Sequence, residues 1–107
     1  MTYRIKQHDL EPPLVIDVSG ASGDLSGVAS WKVIGKRGST IVFTDTAPDF
    51  EPGATASAGT VTHRWAEGET DEPGVISIEV EATWPGGRPQ TFPPSGYSVV
   101  RIEPDLG

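Results

Sequence analysis

Between Gly74 and Trp84 the chain alternates without a break: Ile76, Ile78, Val80, Ala82 and Trp84 share one phase, and Ser77, Glu79, Glu81 and Thr83 share the other. A period of two turns successive side chains to opposite faces, so this stretch is predicted as a half-buried antiparallel strand. Pro85-Gly86-Gly87 cannot extend its ladder. The chain is therefore expected to reverse there and to return through Thr91-Phe92 and Tyr97 to Ile102 as a partner strand.

The rest of the sequence reads in the same short units. Thr2 to Gln7 sets Tyr3 and Ile5 against Arg4 and Lys6, and the segment from His8 to Pro13, with two prolines, ends that strand. Leu14, Ile16 and Val18 are in phase in a second strand. Ser19 to Gly27 is rich in turn formers, and within it Asp24-Leu25-Ser26-Gly27 is expected to drop Leu25 onto the core. Trp31 and Val33 are the core set of Val28 to Ile34, Gly35 to Gly38 reads as a hairpin loop, and Ile41-Val42-Phe43 as its return. Asp45 to Ser57 carries two prolines and little pattern, so it is expected to wander between sheets as one of the more mobile parts, anchored by Phe50. Val61, His63 and Trp65 then share a face opposite Thr60, Thr62 and Arg64, and Ala66 to Pro73 forms an acidic turn.

This adds up to a single all-β domain over residues 1–107, an immunoglobulin-like β-sandwich of about seven to eight antiparallel strands in two packed sheets. Trp31, Trp65 and Trp84 are expected to fill much of its core, since each aromatic buries on the order of 200 Å². Composition agrees: 13 glycines and 10 prolines among 107 residues leave little room for long helices.

Charge and chemistry narrow the functions. Fifteen acidic against eight basic residues give a net charge of -7, which disfavours a phosphate backbone as partner. There is no cysteine, so disulfides, thiolate nucleophiles and Cys-ligated zinc are excluded. MTYRIKQHDL lacks the apolar centre of a signal peptide, and no run approaches the ~20 apolar residues of a membrane span, so a soluble chain without membrane partners is expected. Glu67, Glu69, Asp71 and Glu72 concentrate acidity without the alternating ligand spacing of a calcium loop, and read as a solvated turn. His8 and His63 are far apart in sequence, and a zinc site would need both plus carboxylates. No serine lies in a nucleophile-elbow pattern, and Gly20 to Gly23 is followed by neither the lysine nor the helix of a phosphate loop. No catalytic, cofactor-binding or metal site is expected, and no cofactor. Sheet edges are then the places for function, with Thr2 to Gln7 and Glu103 to Gly107 as candidate extended arms.

Several short runs carry a resemblance. Lys6-Gln7-His8-Asp9 precedes Pro12-Pro13-Leu14; Gly23-Asp24-Leu25-Ser26-Gly27 leads into a strand; Gly59-Thr60-Val61 runs to Trp65, followed by Glu69-Thr70 and Pro73-Gly74. Gly87-Arg88-Pro89-Gln90-Thr91-Phe92-Pro93 with Gly96-Tyr97 completes the order. Over nearly the whole chain this resembles the N-terminal domain of the phage baseplate upper protein family of tailed bacteriophages. The resemblance implies a non-enzymatic virion protein, assembled in the host cytoplasm, that docks other tail or baseplate proteins through surface contacts in an oligomeric setting. A capsid decoration or head-tail joining protein is the alternative within the same class. A carbohydrate-binding or adhesive sandwich, with Trp84 as its platform, is the alternative outside it.

Overall fold

The computed structural model describes residues 2–21, 23–93 and 96–106. Among them are nine strands: β1 (Thr2–Lys6), β2 (Leu14–Val18), β3 (Ser30–Arg37), β4 (Thr40–Asp45), β5 (Asp49–Pro52), β6 (Gly59–His63), β7 (Gly74–Trp84), β8 (Arg88–Phe92) and β9 (Ser98–Glu103). The larger sheet has the order β1-β9-β7-β3-β4, with β8 also paired to β7, and the smaller has the order β2-β6-β5. β2, β6 and β5 thus face β3, β7 and β9 as the two layers of a β-sandwich. The all-β sandwich expected from the alternation is the observed fold.

The core forms where the inward phases of the two sheets meet. Ile76, Ile78, Val80 and Ala82 of β7 pack with Val33, Val100 and Ile102 from the same sheet and with Leu14, Ile16, Val18 and Val61 from the other. Leu25 is buried between them as expected, 1% exposed. Its turn is held by Asp24, whose Oδ1 accepts from the Ser26 N–H at 2.9 Å and from the Ser26 hydroxyl at 2.7 Å, while the Leu25 N–H donates to the Ala56 carbonyl at 2.9 Å. Trp31 stacks on Phe50 with centroids 4.9 Å apart, joining β3 to β5, and Trp65 is buried two residues beyond the end of β6. Trp84 is only half-buried, at the rim.

Five expectations need correction. The strands are not all antiparallel: β1 pairs parallel to β9, from Thr2 opposite Val99 to Lys6 opposite Glu103. β1 and β2 belong to different sheets, separated by a segment whose Pro12 and Pro13 lack N–H groups, so β1 takes the open edge of β9 instead of forming a hairpin. The stretch Thr2 to Lys6 is therefore an edge strand of its own sheet, not a free arm. Glu103 is paired as well, and of the expected tail Gly107 lies outside the described residues.

The hairpin loop is shorter than expected, because β3 runs on to Arg37 and only Gly38-Ser39 turns. Gly35 lies inside the strand: a Cβ there would come within 2.5 Å of the Phe43 ring, which covers the glycine from the core side. The supposedly wandering segment contains β5, where Phe50 pairs with Val61 and anchors the strand by its stack on Trp31. Finally, the partner of β7 is two strands. β8 covers its C-terminal half and β9 its N-terminal half, and Pro93, which has no N–H to donate, ends the ladder of β8. These additions raise the strand count above the seven to eight expected.

Candidate functional site

Three features of the sandwich stand out for chemistry or contact. The first is buried. His63 points inward from β6, with its ring stacked on Phe43 at 4.1 Å and edge-on to Trp65 at 5.3 Å. Its Nδ1 lies 2.7 Å from Asp45 Oδ2 and its Nε2 2.9 Å from Glu69 Oε1. Each ring nitrogen thus lies within hydrogen-bond distance of a different carboxyl group, and which group donates depends on where the protons sit. Asp45 ends β4 in the larger sheet and Glu69 lies on the turn after β6, so the imidazole ties the two sheets and the turn together. Both carboxylates have further anchors, since Asp45 accepts from the Ala47 N–H and Glu69 from the Ala66 N–H.

Thus Glu69 is not part of a solvated turn. Only Glu67, Asp71 and Glu72 are exposed, and Thr70 beside them is buried with its hydroxyl donating to the Asp9 carbonyl at 3.0 Å. His8 meets the same turn from outside, 3.9 Å from Asp71, with both side chains more than half exposed, where an ion pair contributes little. The fold brings both histidines to one acidic turn, His63 from inside and His8 from outside. Each nitrogen of His63 already faces a different carboxylate, and among the described residues no cluster of histidines and carboxylates converges on a point.

The second feature is a shallow groove of about 580 Å³ at the rim, lined by Gly23, Trp84, Pro85, Arg88, Pro89 and Gln90. The indole N–H of Trp84 donates to Gln90 Oε1 at 3.0 Å, which fixes the ring plane. The far edge of the ring lies over Gly23 and Gly27, where a Cβ would meet it at the ordinary contact distances of 3.9 and 3.7 Å.

The third feature is the pair of outer sheet faces, and here the alternation that builds the core has a second consequence. On the larger sheet the outward phase carries Ile34, Lys36, Val75, Ser77, Glu79 and Arg101, by the pairing of Ile34 with Glu79, Lys36 with Ser77 and Val75 with Arg101. Tyr97, Ile34, Lys36, Ser77 and Glu79 line a groove of about 390 Å³ on that face. Ile41, Val75 and Tyr97 are 58%, 40% and 61% exposed. On the smaller sheet the outward phase is a compact grid: Val15, Thr62 and Asp49 in one row, and Asp17, Thr60 and Glu51 in the next.

No protein-family model, no curated protein and no solved structure matches this chain.

Two of these features were within reach of the sequence in part. His63 was placed in phase with Val61 and Trp65, which already puts it inward; the missing information was that Asp45 and Glu69 arrive at its two nitrogens, and that depends on long-range packing. Trp84 was placed next to the turn that now forms the groove. Of the outer-face charges, only Asp17 lies on the polar phase of a strand legible in the sequence; Lys36 falls in the expected hairpin loop and Asp49 and Glu51 in the segment without pattern.

Proposed function

We propose that this domain is a non-enzymatic structural protein of a tailed-bacteriophage virion, a tail or baseplate component that acts through contacts with other virion proteins. The observation that supports the reading most is the outer face of the larger sheet, where Ile41, Val75 and Tyr97 are presented to solvent beside a groove and framed by charged residues. An apolar centre with a polar rim is the composition of a protein contact surface. The resemblance to the baseplate upper protein family points to the same class of work, in which repetition makes modest interfaces act together. The reading is tested by quantitative mass spectrometry of purified particles from the phage whose genome encodes the chain. Copies in a small multiple of six indicate a tail or baseplate ring, hundreds indicate capsid decoration, and absence from the particle overturns the proposal.

A carbohydrate-binding reading has one observation in its favour, the Trp84 groove with Arg88 and Gln90 beside an aromatic ring. Because Trp84 also packs on the core, Arg88→Ala is the informative variant: loss of glycan binding with an unchanged melting temperature supports the lectin, and no binding to a glycan panel by the wild type removes it.

A further inference from the structure

The two outer faces of the sandwich differ in sign. Five of the eight basic residues, Arg4, Lys6, Lys32, Lys36 and Arg101, lie in the outward phase of the larger sheet. Two of them are neutralised in place: Arg4 pairs with Glu103 at 2.8 Å and Lys32 with Glu81 at 3.6 Å. Among the described residues Lys6, Lys36 and Arg101 have no ion pair and all three are exposed; with Glu79, the third carboxylate of this outward phase beside Glu81 and Glu103, five cations face three anions and the sheet face stays net positive. The smaller sheet turns Asp17, Asp49 and Glu51 outward around Thr60 and Thr62. Among the described residues only Arg64 answers them, 3.8 Å from Asp49 with both side chains largely exposed. The chain as a whole carries -7, so a basic face is not what average composition would place there.

We propose that the occupant of the larger sheet's outer face is a second copy of this chain, which docks through the acidic outer face of its smaller sheet. Lys36 and Arg101 of one copy then meet Asp17 and Glu51 of the next, with Ile34, Val75 and Tyr97 against Val15 and the threonine methyls between them. The two patches are different surfaces, so the contact is head-to-tail. It leaves a free face of each kind at the ends and builds a ring or an open stack rather than a closed pair. The inference rests on the docking role proposed above and names the partner for one face.

Size sets the strength. Three strands about 4.8 Å apart and five residues long present roughly 240 Å² of sheet face, well under the ~800 Å² per partner of a standard interface. A single contact is therefore weak, favoured by low salt and high concentration, and effective only when repeated.

Sedimentation equilibrium of the purified chain at millimolar concentration tests this with two charge-reversed variants. One carries Lys36→Glu and Arg101→Glu, the other Asp17→Lys and Glu51→Lys. All four positions are exposed, and unchanged circular dichroism verifies their folds. The wild type is expected to exceed the monomer mass at low salt and to return to it at high salt. Each variant alone has two faces of like sign, and its association is expected to weaken by roughly tenfold or more. An equimolar mixture of the two restores complementary faces, and the mass is expected to rise again. A wild type that stays monomeric at low salt, a variant that associates like the wild type, or a mixture that stays monomeric overturns the proposal. Detection of the chain in particles by mass spectrometry does not depend on self-association, so the two readings fail separately.

Discussion

The two sides of β7 show how one strand divides its labour. Its inward phase, Ile76, Ile78, Val80 and Ala82, is almost without exposure, whereas its outward phase, Val75, Ser77, Glu79, Glu81 and Thr83, mixes apolar, hydroxyl and acidic groups. Both phases come from one run of eleven residues and the same backbone pairing. Only the neighbours differ: the inner side meets the second sheet, and the outer side meets water. Substitutions on the inner side should therefore change stability, and those on the outer side should change association while leaving the fold intact.

The sharpest way to break this division is Ile78→Ala, which opens a cavity beneath both sheets. It is expected to cost about 3 to 4 kcal/mol, read as a lower midpoint in urea denaturation. A loss below about 1 kcal/mol would show that the inner phase is not the stabilising side. His63→Ala follows closely, at about 3 kcal/mol, because it removes a buried ring stacked on Phe43 and leaves Asp45 and Glu69 without the imidazole that partners both. A double variant that also replaces Glu69 by Gln should lose less than the two single losses added, and strict additivity would sink the idea of a shared clamp. Gly35→Ala tests the close approach of Phe43, whose ring cannot retreat easily because it is stacked on His63. A loss of about 2 kcal/mol is expected in thermal unfolding.

On the other side of the comparison the effects shrink. Val75→Thr and Tyr97→Ala remove apolar surface from the outer face and should alter stability by no more than about 0.5 kcal/mol. The smallest effect concerns Asp24. The backbone N–H of Ser26, then its hydroxyl, hold the Asp24 carboxyl below its usual value. A carboxylate with a lowered folded pKa adds stability above its unfolded pKa, and that stability is lost as pH falls through the folded one. Asp24→Asn should therefore slightly flatten the acid limb of the stability curve and nothing else; an NMR titration placing the Asp24 carboxyl at or above the ordinary value of an aspartate side chain would contradict this.

What the sequence revealed, and what it did not, follows the same divide. The period-two runs at Leu14 to Val18, Gly59 to Trp65 and Gly74 to Trp84 gave the core almost residue by residue, because alternation is a local signature of burying one face. Gly35 was misread as a turn since glycine marks both turns and close approaches, and only the position of the Phe43 ring tells them apart. β5 was missed because Pro48 and Pro52 mask a four-residue strand whose place is fixed by a distant partner, Trp31. The parallel β1–β9 pair and the Asp45–His63–Glu69 clamp were out of reach for the same reason: each joins segments that no local pattern connects. The opposed charges of the outer faces emerged only with β5 and the extended β3, when the register set Asp17 and Glu51 on either side of Thr60.

The central claim, that the inner phases hold the fold while the outer faces make contacts, is tested most directly by a dilution series of amide NMR spectra at low salt. The account predicts concentration-dependent shifts at Lys36, Val75, Ser77 and Arg101 and, together with them, at Asp17, Glu51 and Thr60, while the amides around Trp84, Arg88 and Gln90 stay still. Spectra that do not change with concentration, or shifts gathered around Trp84 and Arg88 instead, would contradict it.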